Sequence, residues 1–403
     1  MNKFETYCKF KSYVPEPERT SLSFDIAKVV YFPDTVKYSC WTSIFKCYQF
    51  CSQKDAEKRV LFTMGEYNNR ADYDEILDFV SSKVEAKEII ELSRSKSFCV
   101  NVKSMYSTLH VLRKIFKSRD ISFKQKLYIY SQCVMHNNTR DWLCKNAPVI
   151  SKYVAFSSVH PIESIFVEHY KKQGIPTYSL QHGVAHVHEG ELPMDMISYE
   201  NFNADYQLCW GEYSIEQYAN YGIGRDRLLL AGYPRNITNY NLNGSTSSNN
   251  LQLKPKILIL MARNKFNKTN LRCLEMINKS LSNAGYEIYY KPHPSLQYKD
   301  YERYVKDKKY WLDKLTLSNV FLDFKFGFSV SVNTSAYYES FLYGVKSYMF
   351  IDDDYEGHAI IGNCSFNNEK KLLRLVCDDE PISDEKVNFI LGHKVQNYGM
   401  ILN

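Results

Sequence analysis

The sequence predicts an α/β protein built as two parallel-sheet domains with a cleft between them. Three observations predict it. First, residues 153–156, 177–180, 205–210 and 227–231 read as short apolar strands, with helical patterns at 161–173 and 214–221 between them. Strands alternating with helices across short loops are the signature of a parallel sheet. Second, the same rhythm restarts later, with strands at 256–261, 287–290, 328–332 and 347–351. Third, each half carries a histidine motif after a buried strand: Leu180-Gln181-His182-Gly183 and Lys291-Pro292-His293-Pro294. Open α/β sheets bind ligands at the carboxyl ends of their strands. Two such ends, one in each half, imply a cleft.

The elements follow in chain order. The chain has 403 residues, enough for two α/β domains rather than one ordinary core. Residues 1–25 read as poorly structured. Residues 28–32 and 59–62 are short β-branched or apolar runs expected to be strands. Residues 70–98 carry helical spacing through Ile76, Leu77, Val80, Ile89, Ile90 and Leu92, and 104–150 look mainly helical. The helix at 161–173 turns Ile162, Ile165, Phe166 and Tyr170 inward, and Gly174-Ile175-Pro176 ends it. Residues 236–254 are rich in Asn, Ser, Thr and Gly and form the predicted linker. They separate an N-terminal domain (1–235) from a C-terminal one (255–403). The second half adds helices at 269–284, 298–314 and 336–343. No internal repeat appears beyond the shared rhythm.

Composition narrows the function classes. The net charge is +6 and spread along the chain, whereas nucleic-acid binders concentrate theirs on one face. Nucleic acid is therefore not an expected partner; a phosphorylated substrate or an anionic membrane surface suits a mild positive charge. The eleven cysteines are odd in number and form no Cys-x-x-Cys pair, as expected of reduced thiols. The first twelve residues lack a signal-peptide apolar core, and no run reaches membrane-spanning length. The expected location is cytoplasmic.

The second half carries the clearer chemistry. Prolines on both sides stiffen the loop around His293. A held imidazole beside Lys291 can donate to a phosphate oxygen. Asn333-Thr334-Ser335 ends a strand just before a helix, where hydroxyls and free N–H groups cradle phosphate. Glu339, one turn on from Ser335, can accept from the two hydroxyls of a ribose. The bland alternative makes Thr334 or Ser335 a simple N-cap with Glu339 solvated. The ordered set of Lys-Pro-His-Pro, Thr-Ser and Glu favours a nucleotide-sugar site. Arg263, after another strand end, can neutralise a leaving phosphate or be a surface cation.

These motifs resemble those of GT-B glycosyltransferases of bacterial surface-polysaccharide synthesis, the capsule and lipopolysaccharide type. Three stretches carry the resemblance: 158–183, with His160-Pro161 and Leu180-Gln181-His182-Gly183; Trp210-Gly211-Glu212 through Gly232-Tyr233-Pro234-Arg235; and Lys291-Pro292-His293-Pro294 with Asn333-Thr334-Ser335-Ala336-Tyr337-Tyr338-Glu339-Ser340. They span roughly residues 150–350, and the first 150 match nothing in the family. The resemblance implies two Rossmann-like domains facing across a cleft, the donor nucleotide on the C-terminal one, and no metal or other cofactor. His293 would contact the donor phosphate, Thr334 and Ser335 phosphate or nucleotide, and Glu339 the ribose. The implied partners are a nucleotide-sugar donor, CMP- or UDP-linked, and a glycan or lipid-linked glycan acceptor. A lipid-linked acceptor would bring peripheral contact with the inner membrane.

An inverting transfer needs a base for the acceptor hydroxyl. His182 has the position and a suitable ordinary pKa. Glu189, Glu191 and Asp195 are rivals in the loop after it, and His182 can instead be structural. His186, His188 and Glu189 hint at a metal, but no further ligand set accompanies them. Asp352-Asp353-Asp354 is expected to be a solvated loop. Three other readings stay open: a polyol-phosphate transferase of the teichoic-acid type using a CDP-linked donor, a sugar-nucleotide 2-epimerase, and a non-catalytic scaffold.

Overall fold

The computed structural model describes all residues except 1, 17, 36–37, 51–58, 66–69, 117–120, 186–193, 195–198, 236–254, 282–284, 306 and 379. The predicted linker therefore lies outside the described residues. Thirteen strands occur among the described residues. Those of the N-terminal half are β1 (Lys46–Tyr48), β2 (Arg59–Met64), β3 (Lys87–Glu91), β4 (Lys96–Phe98), β5 (Ile150–Ala155), β6 (Thr177–Leu180), β7 (Tyr206–Cys209) and β8 (Leu228–Leu230). Those of the C-terminal half are β9 (Lys256–Leu260), β10 (Glu287–Lys291), β11 (Phe328–Val332), β12 (Ser347–Phe350) and β13 (Ser365–Phe366).

β1 and β4 pair antiparallel by themselves, and the other eleven strands form two wholly parallel sheets. The first has the order β3-β2-β5-β6-β7-β8 and the second β10-β9-β11-β12-β13. Helices on both faces explain why β2, β6, β11 and β12 are buried at every position, without alternation. In each sheet the first strand sits between the second and the third, so the winding reverses beside it. This is the doubly wound order with its switch point next to the first strand. In the first sheet that point lies between β2 and β5, in the second between β9 and β11. Buried side chains of both sheets join in one contiguous cluster, from Phe62 and Val154 to Ile257 and Val330.

Four expectations are corrected. Residues 1–25 are not loose: they form helices Lys3–Ser12 and Glu18–Tyr31. Asn2 and Glu5 make a reciprocal capping box on the first. Leu22, Ile26 and Val29, on one face of the second, pack with Ile129 and Cys133 of helix Phe123–Asn146. That packing also turns 28–32, expected as a strand, into the end of the second helix. Residues 70–98 divide: helix Ala71–Ser82 keeps Ile76, Leu77 and Val80, while Ile89 and Ile90 pair with β2 as edge strand β3. Residues 298–314 form two short 3-10 turns, because Tyr298 and Tyr301 fold their rings onto Trp311 at 5.9 and 5.4 Å.

The chain end returns to the first half. The Asn397 N–H donates to the Ala231 carbonyl at 3.0 Å and Tyr398 Oη to that of Gly232 at 2.9 Å. Asn403 Nδ2 reaches the Lys83 carbonyl at 3.0 Å. Two glycines permit the approach. Gly232 and Gly392 have φ of 101° and 65°, and a Cβ on either would overlap a backbone carbonyl, of Val395 or of Trp210.

Candidate active site

Both switch points open into one cavity of about 660 Å³ between the halves. Its C-terminal wall includes Arg263, Lys291, His293, Thr334, Ser335 and Glu339, so all six residues expected on the donor side meet there. His182 lines the same cavity from the N-terminal side. Glu189, with His186, His188, Glu191 and Asp195, lies outside the described residues.

The C-terminal wall is built by strand ends. Lys291 closes β10, and its carbonyl accepts from the Met261 N–H at 3.0 Å. Two residues on, His293 Nδ1 accepts from the Ser295 N–H at 3.1 Å and lies 2.9 Å from Ser295 Oγ. An amide N–H only donates, so Nδ1 carries no proton and Nε2 does. Burial, with the charges of Arg70 and Arg263, lowers this histidine to a pKa of about 4. The imidazole is therefore neutral at pH 7 and presents Nε2–H as a donor. Burial also lowers Lys291, against the opposite pull of Asp72 and Asp313. Arg263 follows β9 in a turn clamped by Asn270, which bonds the Ala262 N–H at 3.0 Å and its carbonyl at 2.9 Å. Arg263 itself reaches Glu356 at 3.6 Å.

After β11 the backbone takes a left-handed turn at Asn333, with φ of 34°, the one non-glycine positive φ among the described residues. Its side chain secures the turn, donating to the Asp354 carbonyl at 2.9 Å and accepting from the Glu356 N–H at 3.1 Å. Strain of this kind gathers at binding sites. Ser335 makes no side-chain cap on helix Ala336–Leu342, while Thr334 Oγ1 accepts from the Ala336 N–H at 3.3 Å. Asp352, from the acidic run, pairs with Arg272 at 3.0 Å.

Glu339 is buried, and one of its oxygens accepts from Tyr233 Oη and from Arg235 Nη1. Arg235 also stands 3.6 Å from Glu75 and donates to the Asp72 carbonyl at 3.3 Å. Burial opposes the Arg235 charge, but Tyr233, Glu339 and Glu75 outweigh it and hold the guanidinium protonated. The expected ribose carboxylate is thus also the tie between the halves.

On the N-terminal side, His182 packs between Phe156, at 5.3 Å between ring centroids, and Tyr73, at 5.4 Å. Buried Gln181 fixes its loop. Its Nε2 donates to the Gly183 carbonyl and to Ser214 Oγ, both at 2.8 Å. Its Oε1 accepts from the Trp210 N–H at 2.7 Å, and the indole N–H donates to its carbonyl at 3.0 Å.

Sequence reasoning missed Arg70 and Asp72. They line the cavity where helix Ala71–Ser82 begins, just beyond β2. Arg70 grips Asp72 through two nitrogens and lies 3.9 Å from the centre of the Tyr73 ring. Burial alone would raise Asp72; the Arg70 hydrogen bonds and charge, with Arg235, hold it lower instead. The signal was available in the rule used for the histidines, a charged residue just past a buried strand.

Two Rossmann-like domains with opposed switch points are the GT-B arrangement. No protein-family model matches the chain, and no curated protein does. Solved structures do. UDP-GlcNAc 2-epimerase from Methanocaldococcus jannaschii is 12% identical, with 83% of this chain and 98% of that one covered and a TM-score of 0.48. The lipopolysaccharide outer core galactosyltransferase WaaB is 12% identical, with 86% and 94% covered and a TM-score of 0.45. UDP-GlcNAc 2-epimerase from Neisseria meningitidis is 13% identical, with 85% and 98% covered and a TM-score of 0.47. The fold class rests on the strand orders and the cleft described above. Among the described residues no helix is long and apolar enough to cross a membrane.

Proposed function

We propose that the protein is an inverting, metal-independent glycosyltransferase that moves a sugar from a CMP- or UDP-linked donor to a growing bacterial surface glycan. One observation carries this reading. Both switch points open into a single cavity with cations and a neutral imidazole donor on one wall and a second histidine on the other. The donor phosphate sits against His293 Nε2–H, Lys291 and Arg263, and Thr334 and Ser335 offer hydroxyls to it. Glu339 takes the ribose with the carboxylate oxygen that Arg235 does not hold. His182 removes the proton of the acceptor hydroxyl, with Glu189 the alternative base. The acceptor oxygen then attacks the anomeric carbon from the face opposite the departing nucleotide. The anomeric C–O bond to phosphate breaks, and the cations stabilise the charge left on that phosphate.

Among the described carboxylates of the cleft, Asp72, Glu339 and Glu356 are each engaged by a cation, while Asp313 lines the same wall exposed, so the reaction product separates transfer from 2-epimerisation. The test is product NMR on the protein incubated with CMP- and UDP-sugars and a glycan acceptor. The expected product is a new glycoside of inverted configuration, formed also in excess EDTA. Appearance of a 2-epimer, transfer of a polyol phosphate from a CDP-linked donor, or no turnover of any donor would refute the reading.

A further inference from the structure

A second cavity, of about 240 Å³, lies behind the wall of the cleft. Phe24 and His160 line both cavities, and their rings meet at 4.7 Å, so the two cavities adjoin at this pair. Its place follows from the topology. Gly65, just past β2, and the Pro161–Glu163 segment, just past β5, bound it at the switch point of the first sheet. Helices Glu18–Tyr31 and Phe123–Asn146 supply other walls. Tyr128, Gln132 and His136 recur every fourth residue on the second helix, so all three face the same space.

The lining is mixed, with polar groups buried among residues such as Leu92, Met135 and Ile162, where a helix-packing core would be wholly apolar. Asp25, Gln132, His136 and Glu163 are all buried. Asp25 accepts from Tyr128 Oη at 2.7 Å and stands 3.5 Å from His136 Nε2. Gln132 Nε2 donates to Ser43 Oγ at 3.3 Å. Buried polar groups are costly unless paired, and a void kept among them suits a ligand rich in hydroxyls. At about 30 Å³ per water, the space is roughly that of eight waters, fit for one sugar ring and not a chain. Two cations flank it: Lys28 Nζ lies 5.7 Å from the centre of the Tyr128 ring and Lys96 Nζ 5.2 Å from that of Tyr48, and all four residues line the cavity.

We propose that this cavity is the acceptor subsite and takes one monosaccharide unit bearing an acidic group. The ring hydroxyls meet Asp25 and Gln132, with buried His136 standing behind Asp25, and the acidic group meets Lys28 and Lys96. The attacking hydroxyl then lies at the border that Phe24 and His160 share with the cleft, toward the side that His182 lines. The term acceptor rests on the transferase reading of that cleft; the sugar site itself does not. A carboxylate and a phosphate ester share the chemistry the lysines recognise.

The test is titration of the full chain, followed by NMR, with methyl glucuronide, glucose 6-phosphate and methyl glucoside. At least one acidic probe is expected to bind about tenfold or more tighter than the neutral one. The Lys28→Ala/Lys96→Ala double variant, changed only at flanking lysines, should lose that advantage, and Gln132→Ala should weaken every probe. The better acidic probe identifies the group as carboxylate or phosphate. UDP and CMP binding on the same samples separates the two claims. Nucleotide binding without sugar binding overturns this proposal and leaves the transferase reading; sugar binding without nucleotide binding supports the site and removes its acceptor role. Equal binding of acidic and neutral probes, or acid binding unchanged in the double variant, overturns the proposal.

Discussion

The two histidine loops hold their rings by different means. His293 is fixed by its own loop: Ser295 sets the tautomer, and burial with Arg70 and Arg263 keeps the ring neutral. His182 is fixed by tertiary packing between Tyr73 and Phe156, on a loop pinned by Gln181. A ring locked as an Nε2–H donor among cations suits binding an anion. The His182 ring packs on an aromatic wall instead, with Arg70 stacked on the Tyr73 ring of that wall, and is the one proposed for proton transfer. Similar strand-end placement thus supports two different roles, and the difference comes from the neighbours rather than from the histidine.

Breaking the comparison at its catalytic end should give the largest effect. His182→Ala is expected to lower turnover by about 10²–10⁴-fold, the usual worth of a general base, and to leave nucleotide affinity unchanged; kcat and Kd measured on one preparation check this. Next comes the tie between the halves. Arg235→Ala strands the buried Glu339 carboxylate and should cost about 3–5 kcal/mol in chemical denaturation, with Arg235→Lys recovering part of it. Gln181→Leu leaves the Trp210 N–H without its acceptor, for a loss of about 1–3 kcal/mol. Because the bonds lost are on the His182 side, kcat should fall while nucleotide Kd holds. The smallest effect is on acid stability. His293 titrates at about 4 when folded, against an ordinary value of 6.5. Between these values the unfolded chain binds a proton that the folded one refuses. The contribution is full above pH 6.5 and is lost as pH falls toward 4. His293→Gln should flatten that part of the acid slope in thermal melts, while His136, lowered in the same direction by its own burial, keeps its share.

How much of this the sequence disclosed differs between the halves. In the second half, strands at 256–261, 287–290, 328–332 and 347–351 appear within a residue of their expected bounds, because buried parallel strands are dense in apolar residues, unbroken at 257–261 and spaced by buried serines at 328–332. The six residues expected on the donor side share one cavity because the strand-end rule fixes where they emerge. In the first 150 residues the rule had less to act on. The helices at Lys3–Ser12 and Glu18–Tyr31 bury Tyr7, Ser21 and Asp25 beside aliphatic residues, a mixture that blurs helical periodicity. Ile89 and Ile90 carried helical spacing yet joined an edge strand, because β2 offered them a partner. The role of Arg235 was hidden for another reason. It sits in Gly232-Tyr233-Pro234-Arg235, read only as part of the family resemblance, and only the fold brings it to Glu339, about a hundred residues on.

The most direct test of the division between the two loops is calorimetric titration of CMP, CDP, UDP and GDP into wild type, His293→Ala and His182→Ala. The expected result is one preferred nucleotide, bound about tenfold or more weakly after His293→Ala, as for loss of a hydrogen bond to a charged group, and unchanged after His182→Ala. Binding of no nucleotide, or equal weakening by both substitutions, would contradict it.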